Sequence, residues 1–188
     1  MIKIGITGSI SSGKSTAVKF LRKNKYPAFS ADQTVKQLYK NLNFIKKIRL
    51  IFKIKNKFRI KKQVRAKIIE NNKNLKKLET ITHPLVRKEM LNFMRKNRKK
   101  KISIYEIPLL IESKLIKQFN ILIFIGAPKG ARLKRYLRLG GSKLIFQILD
   151  KRQFSQKSKM KFCDHIVINN KSLLVLKKKI QDIIKLYE

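Results

Sequence analysis

The chain has 188 residues, of which 43% are hydrophobic, which is enough for one domain with a buried core. It carries 48 Lys and Arg against 10 Asp and Glu, a net charge of +38 spread along the whole chain, so we expect no specific nucleic-acid partner. The single cysteine, Cys163, excludes an internal disulfide, and no apolar run is long enough to span a membrane, so we expect a cytoplasmic protein without signal peptide or membrane contact.

A phosphate-binding motif, G-x-x-x-x-G-K-[ST], runs from Gly8 to Ser15. It lies between an apolar run, Ile2–Ile6, and a helical segment, Thr16–Asn24, which is the context that makes the motif credible. Glycines allow close approach to phosphate oxygens, and the helix N-terminus favours anions. We expect Lys14 to reach the β- and γ-phosphates and Ser15 to hold Mg²⁺. The expected ATP contacts here are Gly8, Ser11, Ser12, Gly13, Lys14, Ser15 and Thr16.

A short second strand near 27–29 is followed directly by Asp32. Ligands of open α/β sheets bind at the carboxyl ends of the strands, which makes Asp32 a candidate proton acceptor. The alternative is an N-cap, because apolar residues recur at helical spacing after it. Residues 33–99 read as a helical insertion, in which Pro84 is expected in the first turn of a new helix, Leu85–Arg98, with His83 beside it.

The third strand is expected to end at Glu106 and to lead into a short helix. Glu106 occupies the position of a Walker-B acid, where it can contact Mg²⁺ through water; the alternative is a solvated edge residue. Residues 120–126 are nearly all apolar, as a central parallel strand should be.

Residues 129–161 are rich in basic side chains and contain a Gly140-Gly141 break, which favours a helical lid that closes over ATP. A lid arginine can stabilise the transferring phosphoryl group. Residues 165–169 are expected to form the fifth strand, and Lys171–Tyr187 an amphipathic helix.

Taken together, these motifs resemble the dephospho-CoA kinase family over essentially the whole chain. Gly5–Thr16 is similar to the family's G-L-T-G-G-I-G-S-G-K-S-T. The other matching segments are Ser30–Asp32 for D-A-D, Thr82–Leu85 for the H-P-L motif, Ile107–Glu112 for I-P-L-L-F-E, and Arg152-Gln153, Lys159, Asp164 and Ile168–Asn170 for the tail.

The resemblance implies phosphorylation of the ribose 3′-hydroxyl of dephospho-CoA by ATP with Mg²⁺. Asp32 would act as base, with Lys14 and a lid arginine, Arg138, as the other catalytic residues. Further ATP contacts would be Arg135 and Asn170, and the acceptor contacts would be Thr7, Asp32, His83, Pro108 and Leu109.

Several residues depart from the family pattern, and four of these departures bear on the site. Ser9 and Ser11 replace glycines, Ser30 replaces the first Asp of D-A-D, and Asn169 replaces an Asp. Ser11 narrows the room for phosphate, so weaker nucleotide binding is expected.

The expected fold is α/β, a three-layer P-loop fold with a five-stranded parallel sheet, an inserted helical substrate lobe and a small helical lid. The core would comprise about residues 1–32, 100–128 and 162–188, the acceptor lobe 33–99 and the lid 129–161, in a monomer or weak homo-oligomer. The open alternatives are another small-acceptor P-loop kinase, a basic ATP-switched nucleic-acid-binding protein, and an inactive copy.

Overall fold

The computed structural model describes residues 1–56 and 58–188. Five strands form one sheet: β1 Ile2–Thr7, β2 Ala28–Ser30, β3 Ile102–Glu106, β4 Ile121–Gly126 and β5 His165–Ile168. The helices are α1 Lys14–Lys23, α2 Ala31–Leu38, α3 Leu42–Ile51, α4 Ile60–Glu70, α5 Lys73–Lys96, α6 Lys129–Arg138, α7 Lys143–Arg152, α8 Gln156–Met160 and α9 Leu173–Lys185. A 3₁₀ turn covers Ile116–Gln118.

The sheet is entirely parallel and has the strand order β2-β3-β1-β4-β5. The predicted α/β fold with five parallel strands is therefore confirmed. The carboxyl ends of β1, β2 and β3 lie at one edge, where Ile6 and Ser30 are both in register with Glu106. That edge places the loop after β1 beside the end of β3.

Alternation along the strands sends buried side chains to both faces of the sheet. On one face, helices α1 and α9 pack through Leu21 and Ile180 against Ile4, Ile104 and Ile123. On the other face an aromatic group contains Phe29, Phe93, Tyr105 and Phe119, whose neighbouring ring centroids lie 5.3–6.3 Å apart. Burial on both faces explains why β4 reads as an almost unbroken apolar run.

The chain divides into two compact units, residues 1–30 with 93–188, and residues 31–92. The first unit contains the sheet, and the second contains α2, α3, α4 and most of α5. None of the helices in 1–56 and 58–188 is both long and apolar enough to cross a membrane.

Two local predictions are wrong. Pro84 does not start a helix but lies inside the 24-residue helix α5. An interior proline costs about 3 kcal/mol, and burial of Leu75, Ile81 and Met90 on both sides of it offsets that cost. The expected short helix after Glu106 is instead a series of turns over 108–114.

Candidate functional site

Two glycines give the loop after β1 its shape. Gly8 has φ 145° and Gly13 has φ 109°, which are conformations that other residues rarely adopt. A Cβ on Gly8 would lie 2.0 Å from the carbonyl oxygen of Ile125, and one on Gly13 would lie 2.3 Å from Asn169 Nδ2. Both positions therefore require glycine, as the motif predicts.

Lys14 is the first residue of α1, and its side chain folds back over the loop. Its Nζ donates to the carbonyl oxygens of Gly8 at 3.0 Å and Ser9 at 2.7 Å. The residue is only 5% exposed. A buried ammonium at a helix N-terminus, held against backbone carbonyls, supplies the positive charge that a phosphate site needs.

Ser15 and Ser30 both contact Glu106, which ends β3. Ser15 Oγ donates to Glu106 Oε1 at 2.5 Å, and Ser30 Oγ donates to Oε2 at 2.7 Å. Glu106 is 2% exposed, so the alternative that it is a solvated edge residue is wrong. The structure thus brings together two predicted site residues, Ser15 and Glu106, and adds Ser30 as a partner that the sequence did not indicate.

The two serines that replace family glycines differ in backbone geometry. Ser11 has φ 55°, in the left-handed region, where a Cβ is unfavourable. Ser9 is not among the residues with positive φ and is almost fully buried. Ser12, which follows Ser11, has a buried hydroxyl without a hydrogen-bond partner in the described part of the chain.

The outer side of the loop is held by Asn169 and Arg135. Asn169 Nδ2 donates to the carbonyl oxygen of Ser12 at 2.8 Å. Arg135 donates to the same oxygen at 3.4 Å and to the backbone oxygen of Asn169 at 3.0 Å. Arg135, expected to contact ATP, therefore lies against the loop backbone, and Asn169 has a role in loop geometry that sequence reasoning missed.

A further contact joins the loop tip to residues after α7. The backbone N–H of Ile10 donates to Gln153 Oε1 at 3.0 Å. Gln153 belongs to the Arg152-Gln153 pair of the tail motif, and that pair is the sequence signal that Gln153 has a role at the site. Its partner in the loop is 143 residues away in sequence and could not be read from local pattern.

Thr7 and Pro108, two expected acceptor contacts, meet directly. Thr7 Oγ1 donates to the carbonyl oxygen of Pro108 at 3.1 Å. The same oxygen accepts from Lys159 Nζ at 2.7 Å. Pro108 and Leu109 are half-buried in the turn that follows β3. This turn is therefore fixed to both β1 and α8.

The basic residues of α6 divide into buried and exposed ones. Arg132 is buried and donates to the Ala127 carbonyl at 3.1 Å and to Asp150 at 2.6 Å, so it holds α6 to α7. Arg138 is exposed at the end of α6, and Asn170 is exposed after β5. Nothing about Arg138 or Asn170 in the fold conflicts with the nucleotide contacts expected of them, which stay predictions.

Asp32 and His83 belong to the unit formed by residues 31–92. Asp32 is the second residue of α2 and is exposed, so it lies inside the first turn rather than at an N-cap. His83 is half-buried within α5. Their roles as proton acceptor and acceptor contact stay predictions.

The chain is similar to known proteins of one family. Residues 2–174 match the family model described as dephospho-CoA kinase. A dephospho-CoA kinase of Rickettsia felis is 31% identical over 185 residues, covering 98% of this chain and 96% of the relative. One of Bartonella quintana is 33% identical over 175 residues, covering 90% of each.

A solved structure agrees with these relatives. The dephospho-CoA kinase of Campylobacter jejuni has a TM-score of 0.66 and 25% identity, and the match covers 99% of this chain and 97% of that one. The sequence resemblance is thereby confirmed across nearly the whole length. By its motifs, its fold and its relatives, the chain belongs to the dephospho-CoA kinase family.

Proposed function

We propose that the protein transfers the γ-phosphoryl group of ATP to the ribose 3′-hydroxyl of dephospho-CoA, giving CoA and ADP. Membership of the family supports this reaction. The observation that carries it is the phosphate loop, in which Lys14 is folded over the Gly8 and Ser9 carbonyls and Ser15 is held by Glu106. These are the parts that bind and orient a nucleoside triphosphate.

The loop also fits Mg²⁺. A serine hydroxyl and a carboxylate are the oxygen donors that this ion prefers. Because Ser15 donates its proton to Glu106, the lone pairs of its oxygen remain available to a cation. Ser15 would coordinate the ion directly, and Glu106 would orient the Ser15 hydroxyl and contact the ion through water. When bound, Mg²⁺ neutralises charge on the phosphate oxygens.

The acceptor hydroxyl is too weakly acidic to attack unaided, and Asp32 is our candidate for its base. The Asp32 carboxylate would accept the hydroxyl proton as the ribose oxygen bonds to the γ-phosphorus and ADP leaves. Lys14 and Arg138 would balance the negative charge on the transferring group. The lobe of about residues 33–99, which contains His83, would bind the acceptor. Thr7, Pro108 and Leu109, which lie outside that lobe, would also contact it.

We also propose a lid over the site and a cytoplasmic location. Residues 129–161, with Gly140-Gly141 as a hinge, would act as the lid that excludes water so that ATP is not hydrolysed. Gly140 has φ 76°, which suits a hinge position. The single cysteine suits a reducing compartment, and we propose that the enzyme works in the cytoplasm as a monomer or weak homo-oligomer.

A substrate panel tests the proposal. Purified protein with Mg-ATP is supplied with dephospho-CoA, with nucleoside monophosphates or with nucleic acid, and ADP is followed. We expect turnover with dephospho-CoA alone. Turnover only with a monophosphate would indicate another small-acceptor kinase, and ATP hydrolysis stimulated by nucleic acid would indicate an ATP-switched binding protein. A folded protein inactive in every case would be a degenerate copy.

A further inference from the structure

The structure contains a buried ion pair that the proposed reaction does not use. Lys159, in α8, is 0% exposed, and its Nζ lies 2.9 Å from Glu112 Oε1, whose side chain is 5% exposed. Glu112 Oε1 also accepts from the backbone N–H of Phe154 at 2.8 Å. Its other oxygen, Oε2, is buried without a hydrogen-bond partner among the described residues.

The buried Glu112–Lys159 pair is not expected to add much to the free energy of unfolding. Taking two charges out of water is costly, and replacing a buried pair by apolar groups is often neutral or stabilising. Burial lowers the pKa of Lys159 because it disfavours the charged ammonium, and the partner carboxylate of Glu112 opposes that change. A carboxylate oxygen without a partner adds to the cost.

What the pair does accomplish is to join two segments at the phosphate end of the sheet. Glu112 lies in the turn after β3, and Lys159 donates to Pro108 at the start of that turn. Pro108 also accepts from Thr7, which precedes the phosphate loop. On the other side, Phe154 follows Gln153, which accepts from Ile10 at the loop tip. The segment 153–159 is thereby fixed to both loops.

We propose that Glu112 and Lys159 are positioning residues, which set the place of the turn 107–112 relative to the phosphate loop. This inference rests on the proposed function, because that turn carries the expected acceptor contacts Pro108 and Leu109. A displacement of about 1 Å at such a point can cost about 100-fold in rate. The pair therefore acts on phosphoryl transfer through Pro108 and Thr7, without touching the reacting atoms.

The test compares E112Q, K159M and the double variant E112Q/K159M. Each single variant leaves an uncompensated buried group, so we expect a lower Tm and lower kcat. In the double variant we expect Tm to recover while kcat stays at least about tenfold below wild type, with KM for ATP changed less than about threefold. A double variant that regains wild-type kcat together with Tm would overturn the proposal.

Hydrogen exchange provides a readout that does not depend on turnover. In the double variant we expect faster exchange of the backbone amides of residues 107 and 109–112, although Tm has recovered. Unchanged exchange in this turn would overturn the positioning role, even for a protein without kinase activity. Conversely, a wild-type protein that fails to phosphorylate dephospho-CoA contradicts the proposed function alone, so the two failures are distinguishable.

Discussion

The hydroxyl of Ser15 donates to the carboxylate of Glu106 across 2.5 Å, although the residues are 91 positions apart. Ser15 is the second residue of the helix after the phosphate loop, α1, and Glu106 ends strand β3. The contact fixes the orientation of the one loop hydroxyl expected to hold a cation. Ser30 donates to the second oxygen of the same carboxylate, so both acceptor positions face hydroxyl donors.

Glu106→Gln tests the importance of this carboxylate. An amide presents only one acceptor oxygen, so one of the two serine hydroxyls would face an N–H₂ group. We expect kcat to fall between about 10- and 100-fold, and a higher Mg²⁺ concentration to be needed for half-maximal rate. Steady-state kinetics over a Mg²⁺ titration measures both.

Ser30→Ala is the matched control for this variant. It removes one donor to Glu106 but leaves the bond from Ser15, so its effect on kcat should be well below that of Glu106→Gln. Equal losses in the two variants would mean that Glu106 does not act through Ser15.

Ser11→Gly should tighten ATP binding. Ser11 has φ 55° in a loop whose backbone must approach phosphate closely, and removal of its Cβ relieves strain and opens space. We expect the Kd for ATP, measured by isothermal titration calorimetry, to fall about threefold, equivalent to somewhat under 1 kcal/mol.

Lys25→Gly provides the comparison, because Lys25 also has a left-handed backbone, with φ 69°, but lies in the turn after α1. It should change thermal stability without changing the Kd for ATP. If Ser11→Gly leaves the Kd unchanged or raises it, the serine is not a hindrance to nucleotide binding.

Asn169→Asp should destabilise the protein even though the family has Asp there. Asn169 is buried and donates to the Ser12 carbonyl, and a carboxylate cannot donate this bond. We expect a loss of about 1–3 kcal/mol in the free energy of unfolding, measured with urea. Asn170→Asp, one residue later and exposed, should change that energy by less than about 0.5 kcal/mol. Equal changes would rule out the Ser12 contact as the cause.

Cys163 should react slowly with alkylating reagents. Burial, reinforced by Asp164 and opposed by Lys159, raises the pKa of its thiol from 9.0 to about 11. At pH 8 the folded protein would therefore hold about 100-fold less thiolate than the unfolded chain, and iodoacetamide should react correspondingly more slowly. Comparable rates in native buffer and in urea would contradict the raised pKa.

The same shift has a consequence for stability. A pKa that is higher in the folded state favours folding while the thiol is protonated. That contribution is complete below about pH 9 and is lost as the pH rises through about 11. Between about pH 9 and pH 11, the free energy of unfolding of the wild type, measured with urea, should therefore fall relative to that of Cys163→Ser.

Asp32→Asn tests the proposed base. The amide cannot accept the hydroxyl proton, so we expect kcat to fall by about 10²- to 10⁴-fold with KM for ATP little changed. Asp182→Asn, on the exposed side of α9, is the matched control and should leave kcat unchanged. If Asp32→Asn keeps most of its kcat, another group accepts the proton.

The sheet and phosphate loop could be predicted because their signals are local. Buried parallel strands such as Ile121–Gly126 read as apolar runs, and the glycines at 8 and 13 are where the backbone requires them. The continuity of α5 could not be predicted, because the rule for Pro84 is local whereas the packing that overrides it is not. The partners of Ser30 and Asn169 lie 76 and 157 residues away, beyond any pattern in the chain.

If this chain phosphorylates dephospho-CoA, ADP and CoA must form in equal amounts. With Mg-ATP and dephospho-CoA, the wild-type protein should form one ADP for each CoA, with the new phosphate on the ribose 3′-hydroxyl by ³¹P NMR. ADP formation that is independent of dephospho-CoA, or no CoA from a folded protein, would show that the chain does not catalyse this transfer.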